Sequence, residues 1–100
     1  MKTTVTARHC EVPEEIRTRA AEVTEKLARL AQRPQRMEIV FDDDHQRRVV
    51  ELKMSLPRGQ TLIATAEETD FRTALDRAAE KLRSQLEKLA QRAPRRQPAA

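Results

Sequence analysis

The hydrophobic pattern changes its period between Glu67 and Phe71, and this change limits the folds open to the chain. From Thr61 to Glu67 apolar and polar residues alternate, as in a half-buried strand. From Phe71 onward apolar residues recur every three or four positions, as on one face of a helix. That face consists of Phe71, Ala74, Leu75, Ala78, Ala79, Leu82, Leu86 and Leu89. The pattern predicts a strand, a turn and a long helix capped by Thr69 or Asp70.

Similar signals upstream predict strands over 2–7, 36–42 and 47–56, with turns over 43–46 and 57–59. A first helix begins at Pro13, which suits a first helical turn, and ends by Arg33, before Pro34. The order is β-α-β-β-β-α. A helical crossover lets strands one and two run parallel, and short turns make the later strands antiparallel. We therefore expect an α+β fold, with a four-stranded mixed sheet and both helices on one face.

The length of 100 residues fits one domain, which we assign to residues 1–92. Residues 93–100 are basic and Pro-rich, and we expect them to be disordered. A single cysteine, Cys10, excludes an internal disulfide and fits a reducing compartment. No signal peptide or transmembrane segment is recognisable, so the expected location is the cytoplasm, with no membrane partner.

The positive charge is concentrated at the C-terminal end of the chain. The net charge is +4, and residues 70–100 account for it with eight cations and four anions. Two helices side by side leave a groove between them, and each has cations beside its apolar face. The basic stripe of the second helix is Arg77, Lys81, Lys88, Arg92 and Arg95, and that of the first is Arg19, Lys26 and Arg33, with Arg29 close by. Clustered cations of this kind favour a polyanionic partner.

The aromatic content argues against reading of single bases. The chain has no Trp or Tyr, and its two Phe residues occupy predicted core positions. Bases in single strands are usually stacked on exposed aromatic rings. A structured RNA recognised by its backbone therefore suits this sequence better than a single strand, and DNA is not expected.

Two short motifs contain residue types that occur in catalytic or metal sites. His9 and Cys10 are adjacent, and neighbours on an extended segment point to opposite sides, so they make a poor catalytic pair. The segment Asp42-Asp43-Asp44-His45 contains metal-binding side chains but lacks the ligand spacing and the glycine of a calcium loop. We expect a solvated hairpin turn there, and neither an enzyme, a metal site nor a cofactor.

The segment IATAEETDFRTALDRAAEKLRSQLEKL resembles the signature of the ribosome hibernation-promoting factor family, which includes the ribosome-associated translation inhibitor and is also called the sigma-54 modulation family. The matching positions are Ala64, Ala66, Asp70, Ala74, Leu75, Asp76, Lys81, Leu82, Gln85, Leu86 and Lys88. The opening segment VPEEIR and the pair Lys26-Leu27 also match. The resemblance covers residues 1 to 92 and corresponds to the short form of the family.

The resemblance implies a β-α-β-β-β-α protein of the bacterial cytoplasm that is a monomer when free. It implies binding to the small ribosomal subunit in the mRNA and tRNA channel, with inhibition of translation under stress or in stationary phase. Ser84 occupies a family arginine position, and Arg83 lies beside it. The residues implied to contact 16S rRNA are Lys26, Arg29, Lys81, Lys88 and Arg92, with Arg83 as a further candidate.

An alternative of a different class remains open at this point. The chain could be a protein-interaction module that pairs through a sheet edge or through the second helix, without binding RNA. The two functions differ in their response to salt, because only phosphate binding releases condensed counterions.

Overall fold

The computed structural model describes residues 1–95 and contains two helices and four strands in the order expected from the sequence. A short 3-10 turn, Pro57–Gly59, joins the last two strands. The elements are β1 (Lys2–Arg8), α1 (Glu14–Leu30), β2 (Arg36–Asp44), β3 (Arg47–Ser55), β4 (Thr61–Glu68) and α2 (Phe71–Arg95). The predicted α+β class and element order are confirmed.

The four strands form one sheet in the order β1-β2-β3-β4. β1 runs parallel to β2, while the pairs β2–β3 and β3–β4 are antiparallel, so the mixed topology is as expected. Ile39 lies opposite Leu52, and Leu52 lies opposite Ala64. Because aligned residues share a face of the sheet, this register collects the apolar residues of three strands on one side.

Both helices pack on that apolar side, and α2 contributes more to the core than α1. The completely buried side chains of β2 and β3 include Met37, Phe41 and Leu52. The buried residues of α2 are Phe71, Ala74, Leu75, Ala78, Leu82 and Leu86. From α1 only Ala20, Thr24 and Leu27 are buried. The Phe41 and Phe71 rings meet edge to face with centroids 5.4 Å apart, and this contact joins the start of α2 to the sheet.

The N-terminus of α2 is capped by Asp70 rather than Thr69. The Asp70 Oδ2 atom accepts hydrogen bonds from the backbone N–H of Thr73 at 3.1 Å and from its hydroxyl at 3.2 Å. Such a cap satisfies a helix N–H that has no partner within the helix. At its other end α2 runs to Arg95, three residues beyond the expected domain end at 92. The rest of the predicted disordered tail lies outside the described residues.

Several element boundaries differ by one or two residues from the sequence-based expectation, and the hairpin shows this most clearly. The β2–β3 hairpin has a two-residue turn, His45 and Gln46, where four residues were expected. Both turn residues have positive φ angles, 52° and 71°, as a tight hairpin turn requires. α1 ends at Leu30, within the predicted limit of Arg33, and Arg33 itself has a φ of 53°, outside the helical region.

β1 forms an edge of the sheet and is only partly covered. Thr3, Val5 and Ala7 lie on its inward side, as predicted, and are aligned with the core residues of β2. Val5 nevertheless remains 37% exposed, and Ala7 is half-buried. The inward-facing side chains of β1 are therefore partly exposed to solvent and are not fully covered by a helix.

Candidate nucleic-acid interface

The cations predicted to contact RNA lie on the two helices, on the side of the molecule opposite the open face of the sheet. Each of these cations whose side chain the structure describes is exposed. They are Lys26, Arg29, Lys81, Arg83 and Lys88. The side chain of Arg92 lies outside what the structure describes. The helix surface thus offers at least five cations to a partner.

One contact between the helices shows which flank of α2 faces α1. Arg19 of α1 donates two hydrogen bonds to Asp76 of α2, from Nε to Oδ1 at 2.8 Å and from Nη2 to Oδ2 at 3.0 Å. The Asp76 carboxylate, through this hydrogen bond and its charge, raises the pKa of Arg19, which stays charged at all ordinary pH values. Lys26 follows Arg19 by two helical turns, so it lies on the same flank of α1.

The opposite flank of α2 lies over the free edge of β4. Lys81 Nζ donates to the backbone oxygen of Thr65 at 2.7 Å, and Gln85 Nε2 donates to that of Ile63 at 2.8 Å. One turn earlier, Arg77 forms an ion pair with Glu68 at 3.0 Å. Lysine and glutamine side chains thereby occupy backbone acceptors that an edge strand otherwise leaves open.

The basic stripes of the two helices consequently do not face each other across the groove between α1 and α2. Lys81 lies beside the β4 edge, and Lys88, two turns later, lies on the same flank. Arg83 follows Asp76 by two turns and lies on the flank toward α1, where its Nε is 3.2 Å from the Glu87 carboxylate. Arg83 is therefore not aligned with Lys81 and Lys88, and Ser84 leaves a polar, uncharged step between them.

Ion pairing separates the candidate cations into two groups. Arg19, Arg77 and Arg83 each have a carboxylate within 4.0 Å. Among the described residues, no carboxylate lies that close to four exposed cations of the helices, Lys26, Arg29, Lys81 and Lys88. A phosphate that binds these four cations does not have to displace an internal carboxylate first.

Sequence reasoning did not identify Gln85 and Asp76 as positioning residues. Their partners are distant in the chain, and the partner of Gln85 is a backbone oxygen.

The adjacent His9 and Cys10 have separate partners. His9 Nδ1 lies 3.2 Å from the Asp42 carboxylate, whereas the Cys10 thiol donates to the backbone oxygen of Phe41 at 3.7 Å. Burial, and then the nearby carboxylates of Asp42 and Asp43, raise the pKa of the Cys10 thiol. The protonated thiol is therefore favoured at neutral pH, whereas a nucleophilic cysteine requires a lowered pKa.

The three consecutive aspartates at the end of β2 also engage different partners. Asp42 contacts His9, and Asp43 accepts a hydrogen bond from Arg48 at 2.6 Å. Asp44 lies 2.7 Å from His45 in the hairpin turn. In the described residues, no group of three or more His, Cys, Asp or Glu side chains is arranged to hold a metal ion.

A family-wide sequence model, described as sigma 54 modulation protein / S30EA ribosomal protein, matches residues 3–93. The chain belongs to this family. The match extends from β1 into the last turns of α2, so the predicted resemblance is confirmed over nearly the whole chain. No match was found among curated proteins.

Solved structures of similar proteins agree with the membership in this family. The N-terminal domain of Protein Y from Thermus thermophilus superposes with a TM-score of 0.77 at 23% identity, over 89% of this chain and 99% of that one. A ribosomal subunit interface protein from Coxiella burnetii superposes with a TM-score of 0.73 at 26% identity, over 90% of this chain and 98% of that one. At 23% identity, the similarity to the Protein Y domain supports the fold alone.

Neither described helix of the chain is long and apolar enough to span a membrane.

Proposed function

We propose that this protein binds the small ribosomal subunit at the mRNA and tRNA channel and inhibits translation by occluding it, in the bacterial cytoplasm under stress or in stationary phase. Membership in the family and the likeness to a ribosomal subunit interface protein support a ribosomal partner. The observation that carries the RNA contact is the set of exposed helix cations without a carboxylate partner. Among the described residues, the members of this set that the family resemblance also assigns to RNA are Lys26, Arg29, Lys81 and Lys88.

The proposed contact is made with the phosphate backbone of 16S rRNA, and Arg92 and Arg83 extend the surface. Lys81 is held by the oxygen of Thr65, so its ammonium has a fixed position and still has two N–H donors for a phosphate oxygen. Arg83 contributes less than the lysines in this proposal, because a phosphate has to compete with Glu87 for its guanidinium. The free protein acts as a monomer and needs no cofactor.

The decisive experiment is co-sedimentation with purified small subunits in sucrose gradients over a range of salt concentrations. The test variant is Lys26→Gln/Arg29→Gln/Lys88→Gln, which leaves the bond from Lys81 to Thr65 in place. The matched control is Lys2→Gln/Arg36→Gln/Lys53→Gln, which removes the same charge from the open sheet face. Each lost phosphate contact lowers the salt slope by about 0.7 to 0.9, so the test variant should lose about 2 to 3.

We expect the test variant to bind at least tenfold more weakly than the control, with both proteins folded by circular dichroism. Equal weakening of the two variants would show a nonspecific charge effect and would contradict the assigned surface. Binding that is indifferent to salt would favour the alternative of a protein-interaction module, whose apolar contacts release few counterions.

A further inference from the structure

The outer edge of β1 presents unshared backbone groups. The Lys2 N–H donates to the Gln35 oxygen at 3.2 Å, on the side of β2. Since backbone groups of successive strand residues point to opposite edges, the N–H and C=O groups of Thr3, Val5 and Ala7 point away from β2. In the described part of the chain no further strand follows β1 in the sheet. Three donors and three acceptors are thus aligned for an added strand.

A groove lies beside this edge, between β1 and α1. It has a volume of about 480 Å³, with Thr3 on the strand side and Ala21, Thr24 and Ala28 on the helix side. The small side chains of Ala21 and Ala28 leave space beside Thr3. Val5, the next residue on the inward side of β1, is 37% exposed. Side chains of a strand added at β1 would point alternately into this groove and toward the open face of the sheet.

The wall of the groove contains a polar atom without a partner. Thr24 is only 4% exposed, and no hydrogen bond satisfies its hydroxyl oxygen in the described structure. A buried hydroxyl in this state costs free energy. The oxygen itself exposes less than 1 Å², so a polar group in the groove would recover that free energy only if the Thr24 side chain rotated toward it. This observation points to an occupant independently of the open edge.

The charges on β1 favour one kind of occupant. Lys2 and Arg8 are its only charged residues, and both lie on the open face of the sheet. A second copy paired antiparallel about Val5, the register of longest overlap, would place Lys2 of each copy opposite Arg8 of the other. Like charges directly opposite each other destabilise strand pairs, whereas acidic residues there would stabilise them. At the groove rim Glu25 and Arg29 have opposite charges and cancel.

We propose that the β1 edge and the adjoining groove form a binding site for an extended acidic peptide segment of a partner protein. The segment adds a fifth strand, with acidic residues opposite Lys2 and Arg8. Its groove-facing side chains are small or aliphatic, and one of them is hydroxylated to pair with Thr24. Main-chain hydrogen bonds supply affinity and the groove supplies specificity, as in other complexes formed by strand addition. The site lies at the opposite sheet edge from the Lys81 flank, although Arg29 at the rim of the groove also belongs to the proposed RNA surface.

The probe is the capped peptide acetyl-Glu-Val-Thr-Val-Thr-Thr-Glu-amide carrying a fluorophore, measured by anisotropy against the whole protein. In antiparallel pairing its two glutamates lie opposite Arg8 and Lys2, and its second-last Thr enters the groove near Thr24. We expect the same peptide with both glutamates changed to lysine to bind at least tenfold more weakly. Amide chemical-shift changes should be largest at Thr3, Val5 and Ala7.

Two protein variants with matched controls test the position of the site. Val5→Pro removes an outward N–H while the bonds from β1 to β2 persist, and Ile63→Pro makes the same change at the other edge. Ala28→Leu fills the groove, and Ala90→Leu makes the same change at an exposed site on α2. We expect Val5→Pro and Ala28→Leu to weaken binding at least tenfold and the two controls to leave it unchanged. If Val5→Pro fails to fold, Ala28→Leu still tests the site.

Several outcomes would overturn the proposal. Equal binding of the acidic and basic peptides would remove the charge argument, and unchanged binding to Ala28→Leu would remove the groove. A concentration-dependent dimer that is lost in Val5→Pro would show that a second copy occupies the edge instead. Normal ribosome binding alongside any of these results would leave the proposed function intact.

Discussion

The two edges of the sheet differ in how their backbone groups are covered. At β4, Lys81 and Gln85 of α2 donate to outward carbonyl oxygens of the strand. At β1 the corresponding groups point away from β2 at the outer edge, beside a groove whose helix side includes the alanines Ala21 and Ala28. Each edge strand is followed in the chain by a helix. α2 covers the edge of β4 with long polar side chains, whereas α1 leaves the edge of β1 available for pairing.

The same contrast extends to the core. Among its described side chains, α2 buries six against the sheet, whereas α1 buries only two apolar residues and one unsatisfied threonine. No residue of β1 is buried. Apolar burial is the main favourable term in folding, so the β3-β4-α2 half contributes most of the stability. The half that carries the open edge is held more weakly.

The largest expected effect is on the free energy of unfolding, and it is tested by truncating one core residue in each helix. Leu82 of α2 is completely buried, and its change to Ala should lower the free energy of unfolding by about 3 kcal/mol. Val23 of α1 is half-buried, and its change to Ala should cost about 1 kcal/mol. Urea denaturation followed by circular dichroism measures both. Equal losses would show that the two halves contribute alike.

A smaller loss of stability is expected when the side chains that cover the β4 edge lose their hydrogen-bond donors. The double variant Lys81→Met/Gln85→Met removes both side-chain donors but keeps the apolar stems, and should lower stability by about 1 kcal/mol. We also expect it to self-associate through β4, because two backbone acceptors become available. Light scattering at rising concentration measures this. Lys88→Met is the control, since Lys88 lies on the same flank without a described bond to the strand, and association of that variant to the same degree would contradict the interpretation.

The smallest expected effect concerns the cap of α2 and depends on pH. Hydrogen bonds from the hydroxyl and backbone N–H of Thr73 lower the pKa of Asp70 below its usual range. A lowered folded-state pKa means that the charged cap stabilises the protein fully above about pH 4 and is lost as the pH falls through the folded-state value. Asp70→Ala should therefore lower the Tm at pH 7, and the difference from the parent should narrow toward pH 2.

Glu80→Ala serves as the comparison for that pH profile, because Glu80 is an exposed α2 carboxylate without a described hydrogen bond. Its effect on Tm should vary little between the two pH values. A gap between Asp70→Ala and the parent that stays constant down to pH 2 would show that the cap does not depend on the charge of Asp70.

Much of this architecture followed from local pattern. The change from period 2 to period 3.6 after Glu67 identified β4 and α2, and the two prolines at 13 and 34 placed α1 between them to within a few residues. The hairpin turn was misjudged because His45 and Gln46 adopt positive φ without being glycine or asparagine, the usual signals of such turns. Tertiary pairing between β2 and β3 set that turn.

The arrangement of the interface was less accessible to sequence reasoning. Periodicity placed Lys81 and Lys88 on one stripe, but it could not say which neighbour that stripe lies beside. The answer depends on the bidentate contact from Arg19 to Asp76, which are 57 positions apart, and on bonds to backbone oxygens of β4. Neither leaves a local signal, and so the separation of the two basic stripes emerged only from the structure.

The bonds that fasten α2 to β4 have a consequence for how this protein tolerates mutation. Their acceptors are main-chain oxygens at positions 63 and 65, which every amino acid provides. Substitutions at positions 63 and 65 can change the surface of β4 and still leave these backbone acceptors for α2. Substitutions at 81 and 85 would remove the donors, while the buried face of α2 would still hold the helix against the sheet.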